Sequence, residues 1–499
     1  MADFPTEIWL HILHYLPIKD LSGFIGATRY FNSLGMDVRY EVTEIRIQEG
    51  VYEKDMRRVA EPAIARRIKS LKLWARVVYT PFEMFPVTEP RPRFRRLPKS
   101  MNCAGRVRLP KIIMEQRQPT TPVVEAPAFE DLKLTFDECL DWFLVALPHM
   151  VNVRDFELHI DTKGRPTYPN QMERFLGYIW MALRQKLQKL TFNGTLPDMA
   201  IFLRSKPPHI NVVDVNFTLY GPQAARDAVQ EKILAQVMPN YVKSLGPGFH
   251  SLTLRSWNSQ DLTIPLMAFT ELPDLRLIYL EVTFTSGSVP SKSVLKSFFN
   301  VVSLTLETLK FVYSIPGFDM PLMKPAEVDI VDSAFLSCLA NPGCFFNLRI
   351  LEFHVRRFPK SVDLLLGFIK NSSAQLMQLT LTGPPLPMSD VDNVLLALSV
   401  CNNLTHLHFG PLKFNSNLID SLAENIPRLY SLELDLDSNI LNLSLGPRQY
   451  KNWKLYNITI RDRRTLMLRE DLMKTVATLV HSVRSFGGTG RMSVTPSPT

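Results

Sequence analysis

Leu348-Arg349-Ile350-Leu351-Glu352-Phe353 returns as Leu376-Met377-Gln378-Leu379-Thr380-Leu381 and again as Leu404-Thr405-His406-Leu407-His408-Phe409. Two more copies follow, Leu429-Tyr430-Ser431-Leu432-Glu433-Leu434 and Leu455-Tyr456-Asn457-Ile458-Thr459-Ile460. The phrase is apolar, two others, apolar, one other, apolar. In a chain that is 46% hydrophobic, about a tenth of all start points match by chance, so the pattern alone decides nothing. The spacing decides. The middle residues, at 351, 379, 407, 432 and 458, lie 28, 28, 25 and 26 apart. That period belongs to arrays in which each unit supplies one short strand and one helix or turn.

Reading backward, the phrase recurs as Leu306-Leu309-Phe311, Leu275-Ile278-Leu280, Phe249-Leu252-Leu254, Val212-Val215-Phe217 and Leu187-Leu190-Phe192. Val153-Phe156-Leu158, Ile68-Leu71-Leu73 and Val42-Ile45-Ile47 begin the series. Gaps of 85, 37 and 42 residues interrupt it and point to insertions or an unseen repeat. Amphipathic segments precede the phrases, as at 391–398 and 418–426, each followed by an Asn or Pro turn. The expected fold is an α/β curved solenoid over residues 41–485. Leu468, Leu472, Val476, Leu479 and Val483 are expected on one face of a closing helix. A Gly/Ser/Thr/Pro-rich tail, 486–499, is expected to be disordered.

Strand alternation then locates the binding surface. If the phrase residues point inward, their neighbours point out on the other face of the sheet. On the regular later repeats that face carries Glu352, His354, His406, His408, Glu433, Asp435 and Arg461, the candidate substrate-binding residues. Asp155, Glu157, His159, Lys189, Arg255, Tyr279 and Glu281 continue it through earlier repeats. The mixed charge argues against a nucleic-acid groove and for a protein or peptide ligand. His406-Leu407-His408 is the best metal-like spacing, with Asp435 or His354 as a third donor, but two exposed strand histidines are the simpler reading. Neither a metal site nor a cofactor is expected. Phosphate loops, His-Glu-x-x-His helices and nucleophile elbows are absent from the sequence, so no catalytic residue is assigned.

The first forty residues read differently. From Ile8 to Leu16 only His11 and His14 interrupt large apolar side chains, so a helix there is apolar nearly all round and needs cover on two sides. Phe4-Pro5-Thr6-Glu7 suits a helix start, and Pro17 stops it. Asp20-Leu21, Phe24 and Arg29-x-Phe31-Asn32 follow in order. Residues 1–40 thereby resemble the F-box, with Phe4 where that family usually has Leu. The later repeats resemble the irregular leucine-rich repeats of F-box receptors, although the Asn that usually follows the strand phrase is missing from most copies. The resemblance implies an N-terminal helical bundle gripping a Skp-type adaptor of a cullin–RING ubiquitin ligase through Phe4, Pro5, Ile8, Trp9, Ile12, Leu13, Leu16, Pro17 and Leu21. It implies a non-catalytic substrate receptor whose protein target is unnamed. The rival readings are an F-box scaffold without a degradation role and a nucleic-acid-associated protein acting through a basic loop.

That loop holds most of the charge. Arg91 to Arg117 contains nine basic residues and one acid, so it supplies +8 of the net +9. The surrounding Pro-rich stretch, about 81–127, lacks periodicity and reads as a flexible insertion. Five scattered cysteines form no Cys-x-x-Cys pair. No apolar run approaches the ~18 residues of a membrane span and no basic lead opens the chain, so a cytoplasmic or nuclear protein is expected.

Overall fold

The computed structural model describes residues 5–17, 20–21, 28–47, 51–75, 133–160, 169–209, 211–219, 228–246, 248–256, 262–270, 272, 274–283, 290–314, 325–355, 360–436, 450–462, 467 and 469–486. Among the described residues fourteen strands form one parallel sheet in chain order. They are β1 (Val42–Ile47), β3 (Ser70–Ala75), β5 (Asp155–Ile160), β6 (Lys189–Gly194), β7 (Asp214–Leu219), β8 (Ser251–Ser256) and β9 (Leu277–Thr283). β10 (Thr308–Ser314), β11 (Ile350–His354), β12 (Gln378–Thr382), β13 (His406–Phe409), β14 (Ser431–Leu436), β15 (Asn457–Asp462) and β16 (Ser485–Phe486) complete it. β2 (Val51–Tyr52) and β4 (Lys133–Leu134) pair antiparallel as a separate two-stranded sheet.

The register is the repeat made visible. Leu71, Phe156, Leu190, Val215, Leu252, Ile278, Leu309, Leu351, Leu379, Leu407, Leu432 and Ile458 pair in an unbroken row. All twelve are buried, as are the apolar residues two places on. Each such side chain contributes about 1.5–3 kcal/mol on burial. Parallel strands need a crossover, and here each crossover brings a helix or turn back over the inward face. Phe299, Phe335 and Phe368 form an aromatic seam between successive helices, with ring centroids 3.9 Å and 5.5 Å apart. Local capping fixes where the helices start. Thr135 and Glu138 make reciprocal cap bonds, as do Thr195 and Asp198, and Asn415 accepts from the Leu418 N–H.

Three sequence expectations need correction. The opening phrase is out of register by two: Thr43, not Ile45, pairs with Leu71, so Tyr40, Thr43 and Ile45 hold the phrase positions and Val42 is 57% exposed. A two-residue slip keeps the same face inward, which is why the pattern hid it. Second, of the two readings left open for the 37- and 42-residue gaps, insertions fit and an unseen repeat does not, because β7 pairs directly with β8 and β10 with β11. They contain a 17-residue helix, Ala228–Ser244, and the 15-residue helix Pro325–Leu339 with its following turns. β3 likewise pairs directly with β5 across the longest gap. Third, the closing helix spans only Glu470–Leu479. Val483 lies beyond it and leads into β16, whose Phe486 pairs with Ile458 and is buried. The array therefore runs past residue 485, on a copy too short to show the full phrase. The Pro-rich stretch 81–127, Cys103 and the tail from 487 lie outside the described residues. The other four cysteines are buried.

The N-terminal segment has its own small core. The helix Thr6–Tyr15 packs on the helix Arg29–Glu41 around Leu13, Leu21 and Leu34, separate from the main core. Arg29–Glu41 runs straight into β1, and Arg67 holds it by an ion pair with Asp37 and a 2.8 Å bond to the Ser33 carbonyl. Among the described residues no helix is long and apolar enough to cross a membrane.

Candidate functional site

The face of the sheet away from the helices is lined by half-buried polar residues, one row for each outward strand position. Most of its charges are matched by a neighbour on the same or the next strand. Lys72 meets Glu157 at 3.4 Å, Lys189 meets Asp214 at 3.3 Å, Arg255 meets Glu281 at 3.3 Å and Lys310 meets Glu352 at 3.3 Å. Opposite charges one strand apart are the sheet's natural lateral pair.

Of the seven residues predicted on the later repeats, four come together. His408 Nε2 lies 2.8 Å from Asp435 Oδ2 and 3.8 Å from Glu433 Oε1, and Arg461 holds the Glu433 carboxylate. The other three do not join them. Glu352 pairs with Lys310, His354 Nδ1 sits 3.2 Å from Thr382 Oγ1, and His406 Nδ1 sits 2.9 Å from Thr405 Oγ1. The reason is register: His406 lies two residues toward the strand entry from His408, beside Ser431 rather than Glu433. His408, Glu433 and Asp435 offer three ligand atoms within 4.8 Å of one another. The Arg461 guanidinium already on Glu433 opposes a cation there.

The opposite end of the face carries a cluster that the sequence reading named only in part. Trp74, 37% exposed, stacks on His159 at 3.8 Å with the rings 6° apart, and the Arg46 guanidinium lies 5.9 Å from the Trp74 ring. His159 Nε2 lies 2.7 Å from Glu157 Oε1, which also accepts from Asn193 Nδ2 at 3.2 Å. The His159 hydrogen bond holds the Glu157 carboxyl down at about 2, with Lys72 adding to it against the cost of burial. Trp74 and Arg46 share the outward position of His159, so strand parity alone could have found them once the register of β1 was known. In the middle of the face Tyr279 donates to Glu281 at 2.9 Å and lies under Arg255, 4.7 Å from its ring centroid. Burial first, and the Glu281 bond second, push the Tyr279 hydroxyl up to about 12.

The N-terminal candidates divide by helix face. Trp9, Leu10, Leu13 and Leu16 turn toward the neighbouring helix, with Trp9 edge-on to Phe31 at 4.8 Å. Ile8 and Ile12 are 45% and 38% exposed, and Tyr15 beside them 78%. Leu13 and Leu21, expected at the adaptor surface, are buried in the pair's own core with Leu34. The spacing explains both sets: 8, 12, 15 and 9, 13, 16 are two i, i+4, i+7 stripes on one helix. The Pro5 carbonyl accepts from the N–H groups of Ile8 and Trp9, and the Pro17 carbonyl from Asp20 and Leu21. Phe4 lies outside the described residues.

The chain as described is a β/α repeat array with the in-phase strand register of leucine-rich-repeat solenoids, preceded by a helix pair. No protein-family model matches the sequence, and no curated protein does. Among solved structures it is similar to the leucine-rich repeat-containing protein LegL7 from Legionella pneumophila, at 12% identity, over 54% of this chain and 68% of that one, with a TM-score of 0.26. A likeness that loose carries no weight for fold or function. The repeat character rests on the chain's own unbroken register.

Proposed function

We propose that this chain is a substrate-recognition subunit of a Skp–cullin–F-box ubiquitin ligase. The N-terminal helices would bind the adaptor, and the outer face of the sheet would bind a protein target. The chain would supply no catalytic residue and would act by raising the target's effective concentration at the ligase.

One observation supports the reading most. The helix Thr6–Tyr15 packs one apolar stripe within the chain, around the buried Leu13, and leaves a second, Ile8, Ile12 and Tyr15, open to solvent. An exposed contiguous apolar stripe is the mark of an interaction site. The test is a pull-down from cells with full-length chain carrying Ile8→Asp and Ile12→Asp. Both positions are surface residues, so melting should be unchanged while adaptor and cullin are lost together. Interface anchors typically cost at least ~2 kcal/mol when removed. Point changes are preferable to deleting residues 1–40, because that deletion would strip the Arg29–Glu41 helix from the edge of β1. Undiminished adaptor capture by the double variant would refute the reading.

A further inference from the structure

The body of the protein outside the Arg91–Arg117 stretch is close to neutral, yet the rim where the chain enters the last strands is not. Arg428 and Lys454 occupy equivalent turn positions in successive repeats, with the Lys454 N–H bonded to the Pro427 carbonyl at 3.0 Å. Two positions on, Tyr430, Tyr456 and Arg484 follow one another across three repeats. The Tyr456 N–H donates to the Tyr430 carbonyl at 2.9 Å and the Arg484 N–H to the Tyr456 carbonyl at 2.8 Å. The two tyrosine rings stack with centroids 5.0 Å apart and planes 6° apart, and they are 46% and 42% exposed. All three cations are exposed, and among the described residues none of them forms an ion pair. This contrasts with the neighbouring face, where Arg461 is neutralised by Glu433 and Lys310 by Glu352.

From this the geometry points to the rim of the last three repeats as a docking site for an acidic polypeptide segment, anchored by Arg428, Lys454 and Arg484 around the Tyr430–Tyr456 stack. Exposed tyrosine and arginine are the residue types that dominate interface energetics. Stacking uses one face of each half-exposed ring, which leaves edges and hydroxyls as the contacts they offer a partner. Ring edges carry the positive side of the quadrupole and hydroxyls can donate, so both favour carboxylates. A single-stranded nucleic acid would instead need open ring faces for its bases, and here each ring spends a face on the other. The site stands independently of the ligase reading, because it involves neither the N-terminal helices nor the outer sheet face.

The test is fluorescence anisotropy of the full chain with a dye-labelled Glu/Asp-rich peptide, a Lys-rich control peptide and oligo(dT). The acidic peptide should bind, the control should not, and binding should weaken as salt rises. Arg428→Glu with Arg484→Glu should raise Kd at least about tenfold, as loss of paired charges at an interface does. Tyr430→Ala with Tyr456→Ala should weaken binding as well, at unchanged melting temperature. Arg428→Gln with Arg484→Gln gives the same reading should the reversed charges lower stability. No binding of the acidic peptide would overturn the proposal, as would an affinity unchanged by the charge variants, the result expected of binding through Arg91–Arg117. So would oligo(dT) binding more tightly than the peptide and depending on the same residues.

Discussion

At the scale of single residues, His14 ties the N-terminal helix to the repeat array. Its Nδ1 lies 2.7 Å from the Leu10 carbonyl and its Nε2 2.7 Å from Glu41, whose other oxygen takes Lys69 at 3.0 Å. The Leu10 contact first, then Glu41, raise the His14 pKa above the usual 6.5. Burial works against the Glu41 carboxylate, but the bonds from His14 and Lys69 outweigh it and hold its pKa low. A raised histidine pKa stabilises below the unfolded value and loses that contribution as pH rises through the folded one. Docking of the first helix should therefore be firmer at pH 6 than at pH 8. NMR titration should show the His14 pKa falling in Glu41→Gln while the Leu10 contact keeps part of the rise, with the pH dependence of N-terminal amide protection reduced. Glu157 has the opposite sign. Its depressed value, about 2, gives stability that is complete above about 4.5 and lost as pH falls toward 2. Glu157→Gln should flatten acid unfolding over that window. Gly383 is a third sensitive position. Its φ is +102°, and a Cβ there would run into the Val355 carbonyl. Gly383→Ala should cost about 1 kcal/mol or more in chemical denaturation.

At the scale of elements, each repeat is a strand and a covering crossover that cannot bury its apolar face alone, so the ends of the array matter. β16 contributes two residues, yet Phe486 is buried against the layer of Ile458. Phe486→Ala should cost about 3–5 kcal/mol locally. In a nearest-neighbour array that loss frays the end rather than melting the whole. Hydrogen exchange should show β15 and the helix Glu470–Leu479 losing protection while β5 to β12 keep theirs. Uniform loss across the sheet would mean a single cooperative unit instead.

At the scale of the whole molecule, the outer face is balanced by lateral ion pairs and the surplus charge is segregated. Removing residues 91–117 takes net charge from +9 to +1, since that stretch carries +8. Direct pairing of β3 with β5 closes the sheet without those residues. The shortened chain should keep its melting temperature while its isoelectric point falls toward neutrality. A much lower melting temperature would place the stretch in the core.

The sequence by itself determined which residues face inward along the strands from β3 to β15 that carry the phrase, and that parallel units stack. A period of two along a strand and 25 to 28 between strands leaves little freedom, because one residue of slip would bury Glu352 or Glu433. It also revealed the two-sided N-terminal helix. It did not determine the register of β1, since a two-residue slip conserves the face, nor the last strand, whose phrase is cut short at Phe486. Above all it did not determine which outward side chains meet. His408 joins Glu433, Asp435 and Arg461, while His406, two residues away, joins Thr405, because lateral neighbours are set by hydrogen-bond pairing between strands some 26 residues apart. Composition and pattern see one chain; only the folded stack puts Trp74 on His159 and Tyr430 on Tyr456.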